Sequence, residues 1–92
     1  MIIKANKTNL YKLVSKYVTL PIMKNVSFGK FYNSHSYWMQ WPDGQIILQT
    51  VLGEPFLNIS TKADDLMAPS RWNANKLTLD ELMEFNLVEG CC

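Results

Sequence analysis

The first 42 residues of this 92-residue chain contain no acidic side chain. They carry six lysines, whereas residues 43–92 hold eight acidic residues against three basic ones. The net charge of +1 therefore conceals a basic first part and an acidic second part. Either the two parts neutralise each other within the fold, or they leave one basic and one acidic face that each attract a partner of opposite charge. The sequence leaves both alternatives open.

Long apolar segments and separated cysteines are also missing. No stretch approaches the roughly 18 apolar residues of a membrane-spanning helix, and the opening segment MIIKANK is too poor in apolar residues for a secretory signal. The only two cysteines, Cys91 and Cys92, are adjacent and cannot link distant parts of the fold. We therefore expect one cytoplasmic domain, residues 1–92, without disulfides and without membrane contact.

Groups suited to catalysis or metal binding are scarce. His35 is the sole histidine, and its setting between Ser34 and Ser36 is typical of a polar hairpin tip. Asp64 and Asp65 are consecutive, so on a helix they would point about 100° apart and would suit a helix start better than a shared site. Zinc-ligand spacing and a glycine-rich phosphate loop are absent from the sequence. We predict a protein that is not an enzyme and that uses no metal or cofactor.

Two helices are predicted, one near each end of the chain. In residues 6–18 apolar side chains recur at helical spacing, Asn6 or Thr8 is the predicted N-cap, and Pro21 prevents the helix from continuing. Met1–Lys4 is predicted to form a short strand before it.

The second helix has the clearest local signal in the chain. Thr78 is the predicted N-cap, Glu81 closes a capping box, and Leu77 and Leu82 are placed to form a hydrophobic staple. Gly90 is predicted to end this helix. The side chains expected to face the core are Leu79, Leu82, Met83 and Leu87.

Between the helices the pattern changes to a period of two. The predicted strands are Val26–Tyr32, Tyr37–Trp41, Gln45–Val51 and Phe56–Ser60. Pro42-Asp43-Gly44 is the best turn signal, with Gly44 expected in the left-handed conformation. Connections this short require antiparallel neighbours. We predict an α+β fold, a three- to four-stranded antiparallel meander flanked by an N-terminal and a C-terminal helix, with helical turns in residues 62–68 and a loop over residues 70–76.

Five of the eleven aromatic residues lie within positions 30–44. Strand alternation places bulky side chains on both faces of the sheet, and two short helices can cover only one face. We therefore expect some of these rings to stay at least partly exposed: Phe31, Tyr32, Trp38 and Trp41. In the alternative, the segment 62–76 with Trp72 covers the second face, and all the rings belong to the core.

An exposed aromatic surface favours binding to another protein, because tryptophan and tyrosine anchor such contacts inside a charged rim. The alternative partner is single-stranded RNA or DNA, with the rings stacked on bases and the N-terminal lysines on phosphates. A sequence pI of about 7.7 and a lone arginine favour the protein partner. A homodimer stays open as a further alternative.

The predicted function is thus a small adaptor or inhibitor, in the style of a phage or bacterial accessory protein. The predicted partner-binding residues are aromatic anchors and their basic rim: Tyr32, Tyr37, Trp38, Trp41, Trp72, Lys24 and Lys30. A second predicted contact surface is an acidic face on the C-terminal helix: Asp80, Glu81, Glu84 and Glu89.

Overall fold

The computed structural model describes residues 2–32, 35–61 and 72–89, which form an α+β fold built on a five-stranded antiparallel meander. The strands are β1 (Ser27–Lys30), β2 (Tyr37–Trp41), β3 (Gly44–Val51), β4 (Glu54–Ser60) and β5 (Asn73–Lys76). Helix α1 (Lys7–Val14) precedes the sheet and helix α2 (Leu79–Glu84) follows it. The predicted class and meander are confirmed, with one strand more than expected.

The additional strand, β5, lies in the segment predicted to be a loop. Its residues, Asn73-Ala74-Asn75-Lys76, have low strand propensity, so the local pattern gives no sign of it. Pairing with β4 holds it in place: Asn75 lies opposite Leu57, and the Asn75 side-chain amide donates to the Leu57 carbonyl oxygen at 3.3 Å. The loop prediction is therefore wrong for residues 73–76. The helical turns predicted in residues 62–68 lie outside the described residues.

One face of the sheet, the core face, packs against both helices. Its side chains are aligned across the strands, for example Tyr37 beside Leu48 and Leu48 beside Leu57. The buried cluster also takes in side chains from α1, from α2 and from the segments next to α2: Leu10, Leu13, Val14, Leu77, Leu82 and Leu87. The hydrophobic core thus lies between the sheet and the two helices.

Helix α1 begins as predicted and ends early. The Asn6 side chain accepts a hydrogen bond from the Asn9 backbone N–H at 2.8 Å, which confirms Asn6 as the N-cap. The helix ends at Val14 rather than Val18, although Tyr17 and Val18 still pack against the core. The strand predicted before it is a single bridge, from Ile3 to Val88.

The start of α2 is confirmed in detail. The Glu81 backbone N–H donates to the Thr78 hydroxyl oxygen at 3.1 Å, and the Thr78 backbone N–H donates to the Glu81 carboxylate at 3.2 Å. These two bonds make the predicted capping box.

The end of α2 differs from the prediction. The Leu87 N–H donates to the Leu82 carbonyl oxygen at 2.7 Å, and Asn86 takes the left-handed conformation at φ 56°. This is a Schellman ending with asparagine in the position that glycine usually takes, so the prediction that Gly90 ends the helix is wrong. Leu82 and Leu87 are buried as expected.

Two large apolar side chains of α2 do not face the core. Leu79 is 52% exposed and Met83 is 62% exposed, so their prediction as core residues is wrong. The helix has six residues, and the buried Leu77 and Leu87 on either side of it set its orientation. Leu79 and Met83 lie one turn apart on a face that points to solvent.

Loss of the capping box should weaken the fold measurably. We expect Thr78→Ala to lower the free energy of unfolding by about 1 kcal/mol, because the first backbone N–H groups of α2 lose their acceptor. Urea denaturation measures this change. Thr8→Ala is the matched control, since Thr8 is an exposed residue within α1, and a loss of equal size in the control would contradict the assignment.

The turn at Gly44 also differs from expectation. Gly44 is not left-handed; it opens β3 opposite Trp41. The β3–β4 turn consists of Leu52 and Gly53, with φ of 52° and 80°, as in a type I′ hairpin. Leu52 is 99% exposed, so no packing offsets the cost of its left-handed backbone.

Relief of this backbone strain should stabilise the protein. We expect Leu52→Asn to raise the free energy of unfolding by about 1 kcal/mol, because asparagine tolerates the left-handed conformation that leucine resists. Thermal and urea denaturation measure the gain. Met83→Asn, a change at an exposed apolar residue in helical backbone, should give no gain, and a gain there would point to a general solubility effect.

Candidate protein-binding surface

The second face of the sheet, the outer face, points away from the helices. Register places Gly29, Trp38, Ile47 and Asn58 in one row across it. Alternation along the strands adds further large apolar side chains to this face. The outer-face patch consists of Phe31, Trp38, Ile47, Val51 and Phe56. Phe31 is 40% exposed, Val51 is 43% exposed, and the other three are partly exposed.

The outer-face patch occupies one end of the sheet. At the other end Gln45 and Ser60, which also belong to the outer face, are buried. Trp72 is only 8% exposed and directly precedes β5, whose first residue pairs with Ile59. Among the described residues, the most exposed apolar side chains of the outer face thus lie toward the end that carries the β1–β2 connection and the β3–β4 turn.

Trp38 owes its position to the glycine opposite it. A Cβ atom at Gly29 would lie 2.4 Å from Cζ2 and 2.7 Å from Nε1 of Trp38. The indole therefore lies against the β1 backbone, in space that any other residue at position 29 would fill. As a result the ring is only partly buried and extends from β2 across the edge strand.

Three of the predicted anchors are interior residues. Tyr37, Trp41 and Trp72 are 6%, 9% and 8% exposed, so the expectation that they present their rings to a partner is wrong. Tyr37 and Trp41 share the core face, where Trp41 packs against Gly44 and Tyr37 stacks with Phe28 at 6.0 Å between ring centroids. Alternation predicts that Tyr37 and Trp41 share a face, but tertiary packing decides which face the helices cover.

The remaining aromatic candidates are accessible. Tyr32 is 91% exposed in the β1–β2 connection, beside Phe31 of the outer-face patch. Partial exposure of Phe31, Tyr32 and Trp38 is as predicted, whereas exposure of Trp41 is not.

The basic rim is exposed at the edge strand. Lys24 lies in the short 3-10 turn before β1, and Lys30 ends β1 with its ammonium group 5.8 Å from the centroid of the Tyr37 ring. Neither ammonium forms an ion pair with a carboxylate within residues 2–32, 35–61 and 72–89. Both charges are therefore available to an acidic ligand.

The predicted acidic face on α2 is smaller than expected. Asp80 and Glu84 are exposed one helical turn apart. Glu81 instead accepts a hydrogen bond from the Tyr17 hydroxyl at 2.6 Å and lies 3.9 Å from the Lys16 ammonium. Glu89 lies beyond the end of α2, and its backbone N–H donates to the Ile2 carbonyl oxygen at 2.8 Å.

The Tyr17–Glu81 contact joins the segment that follows α1 to helix α2 and makes stability depend on pH. The Tyr17 hydrogen bond lowers the pKa of Glu81 below its ordinary value of 4.5. Burial, together with the same hydrogen bond, raises the pKa of Tyr17 to about 12. Since the folded state favours the ionised Glu81, its contribution is present above pH 4.5 and is lost as the pH falls.

Removal of the Tyr17 hydroxyl should flatten this acid dependence. We expect the free energy of unfolding of Tyr17→Phe to fall less steeply than that of the wild type as the pH is lowered through the acid range. Urea denaturation at a series of pH values measures the slope. Tyr11→Phe is the matched control because its hydroxyl donates to the Pro21 carbonyl oxygen, which does not titrate. Equal slopes for the two variants would contradict the assignment.

No group of three or more metal-ligating side chains occurs in the part of the chain that the structure describes. His35 is exposed in the β1–β2 connection, while Asp64, Asp65, Cys91 and Cys92 lie outside the described residues.

An open pocket of about 520 Å³ lies at the end of α1, but the Tyr11 and Tyr17 hydroxyls that line it are already bonded to Pro21 and Glu81. No helix among the described residues is long and apolar enough to span a membrane.

Comparisons with protein families, curated proteins and solved structures gave no match to this chain.

Proposed function

We propose that the chain is a non-enzymatic protein-binding module, an adaptor or inhibitor, that contacts its partner through the outer-face patch. The observation that supports this is the exposure of large apolar side chains at one end of the face opposite the helices. Phe31 and Val51 are each at least two-fifths exposed there, and Tyr32 and Leu52 are almost fully exposed beside them. Exposed apolar side chains gathered on one surface in this way are typical of protein-binding sites.

The topology brings these side chains to one end of the sheet. In an antiparallel meander, the β1–β2 connection and the β3–β4 turn emerge at the same end, about 10 Å apart across two strand spacings. Tyr32 and Leu52 therefore flank the outer-face patch. Glu54 lies opposite Val51 and Lys76 lies opposite Phe56, so these two residues supply polar groups beside it, as the rim of a protein interface requires.

Charge argues against the nucleic-acid alternative. Lys76 beside the patch is 3.1 Å from the Glu54 carboxylate and is thereby neutralised. Among the described residues at the β1 edge, Lys24 and Lys30 remain, whereas binding to single strands usually requires a longer series of phosphate contacts. A protein partner therefore fits the surface better.

Affinity capture from a lysate of the source cells, quantified by mass spectrometry, tests the proposal. The patch variant is Phe31→Ser with Val51→Ser, and the control is Ile22→Ser with Met83→Ser, which changes two residues at least 60% exposed outside the patch. We expect one protein to be retained by the wild type and the control and to fall by at least about tenfold on the patch variant. Equal recovery on all three would overturn the proposal.

A second arm addresses nucleic acid directly. A fluorescent single-stranded oligonucleotide is titrated with the protein over a series of salt concentrations. We expect no binding that declines steeply with salt, and such binding would assign the surface to nucleic acid instead.

A further inference from the structure

The first strand of the sheet has an edge, the free edge, that no other described strand pairs with. Strand order places β1 outermost, and within the described residues β2 is the only strand that pairs with it. The Phe31 N–H donates to the Ser36 carbonyl oxygen at 3.0 Å, which shows which residues of β1 form hydrogen-bonded pairs with β2. Gly29 and Phe31 therefore bond toward β2, while the N–H and C=O groups of Phe28 and Lys30 point away from the sheet.

An indole donor lies beside this edge. Because Trp38 extends across Gly29, its Nε1 atom is 2.7 Å from the position that a Cβ at residue 29 would take. No hydrogen bond joins this N–H to another described residue. A strand added along β1 would bring its outer-face side chains next to the Trp38 ring and its N–H group.

The charges that the described residues place at this edge are positive. Lys24 and Lys30 are exposed at the two ends of β1, and residues 1–42 contain no acid. Pairing of two β1 strands would bring like charges together, which destabilises a sheet. An acidic segment would instead be attracted to both lysines. Its side chains on the core-face side would lie near Lys30, and polar side chains on its other side would offer acceptors to the indole N–H.

We propose that the free edge of β1 binds an extended acidic segment of the partner protein, which adds to the sheet as a further strand. Backbone bonds to Phe28 and Lys30 hold the segment, and its carboxylates lie beside Lys24 and Lys30. This inference rests on the proposed function and names the chemistry of the partner. Strand addition of this kind takes affinity from main-chain hydrogen bonds and specificity from alternate side chains.

The first test uses synthetic peptides and the wild-type protein. The probe is a labelled, capped peptide of alternating valine and glutamate, and its control replaces glutamate with lysine. We expect saturable binding of the acidic probe, measured by fluorescence anisotropy, and binding of the basic control that is weaker by at least about tenfold. Equal affinities would overturn the proposal.

N-methylated probes test the backbone bonds. Alternate residues of a strand direct their N–H groups to opposite edges, so methylation of one set removes the donors toward β1 and methylation of the other set does not. We expect the two methylated peptides to differ in affinity by about tenfold or more. Equal affinity of the two would overturn strand addition, and this test needs no variant that must fold.

A pair of variants at one position separates charge from backbone. Lys30→Ala and Lys30→Pro both remove the ammonium, but only proline also removes the outward N–H, at an edge position where proline is tolerated. We expect Lys30→Pro to bind the acidic probe about tenfold more weakly than Lys30→Ala, with the fold checked by circular dichroism. Equal binding by two folded variants would overturn the proposal. If the wild type forms a dimer and Lys30→Pro abolishes that dimer, the proposal is overturned too, because the edge of β1 then binds a second copy of the chain.

The two proposals can fail separately. In one outcome, the Lys30→Pro variant captures the partner as well as the wild type does, and the variant with Phe31→Ser and Val51→Ser loses it. This outcome would overturn strand addition and would still support the contact through the outer-face patch. Unchanged capture by both variants would overturn both proposals.

Discussion

Gly44→Ala should lower the free energy of unfolding by about 3 kcal/mol, near the upper end for overpacking in a core. A Cβ atom at this position would lie 2.7 Å from the Ser60 backbone oxygen and 2.7 Å from Cζ2 of Trp41. Neither neighbour can move easily, because Ser60 belongs to β4 and Trp41 is buried in the core. Urea denaturation measures the loss.

Gly29→Ala is the matched control for Gly44→Ala. The three atoms nearest to a Cβ at position 29 all belong to the Trp38 ring, and the nearest of them is 2.4 Å away. That ring is partly exposed and can rotate toward solvent, so we expect a loss of about 1 kcal/mol, the cost of an unfavourable rotamer. A loss in Gly29→Ala as large as in Gly44→Ala would show that Trp38 is fixed in the interior, contrary to our account.

Trp38→Ala should weaken partner binding by about 2–4 kcal/mol, which corresponds to a roughly 30- to 1000-fold increase in the dissociation constant. The reason is that Trp38 is the largest side chain of the outer-face patch and adjoins the free edge of β1. Isothermal titration with the captured partner measures the affinity, and circular dichroism confirms that the variant is folded.

Met83→Ala is the control for Trp38→Ala, since Met83 is 62% exposed on α2 and lies outside the patch. We expect its dissociation constant to match that of the wild type. If Trp38→Ala lowers the melting temperature and leaves the affinity unchanged, Trp38 belongs to the core and the patch is not a contact surface.

The features that the sequence predicts well are those encoded by neighbouring residues. The capping box needs only Thr78 and Glu81, and the Asn6 cap needs only the residue three positions later. The alternation in Tyr37–Trp41 likewise shows which side chains share a face, and the structure agrees.

The features that the sequence does not predict depend on distant parts of the chain. β5 exists because β4 offers it a partner, and its own residues favour a loop. Burial of Tyr37 and Trp41 follows from the face that the helices cover, which no local pattern encodes. The exposure of Leu79 and Met83 follows from how the buried residues on either side of α2 fix its orientation.

The candidate surface was only partly predictable for the same reason. Tyr32, Trp38, Lys24 and Lys30 are accessible as expected. Val51 and Leu52 cannot be identified as site residues from the sequence, because a valine at the end of a strand and a leucine in a turn carry no sequence signal of exposure. The left-handed backbone at Leu52 becomes evident only in the structure.

Hydroxyl-radical footprinting of the chain, alone and with its captured partner, tests the central claim most directly. We predict that Phe31, Tyr32 and Trp38 lose reactivity in the complex, while Leu79 and Met83 on α2 keep theirs. Protection of Leu79 and Met83 with unchanged reactivity at Phe31, Tyr32 and Trp38 would contradict the account and would place the contact on the C-terminal helix.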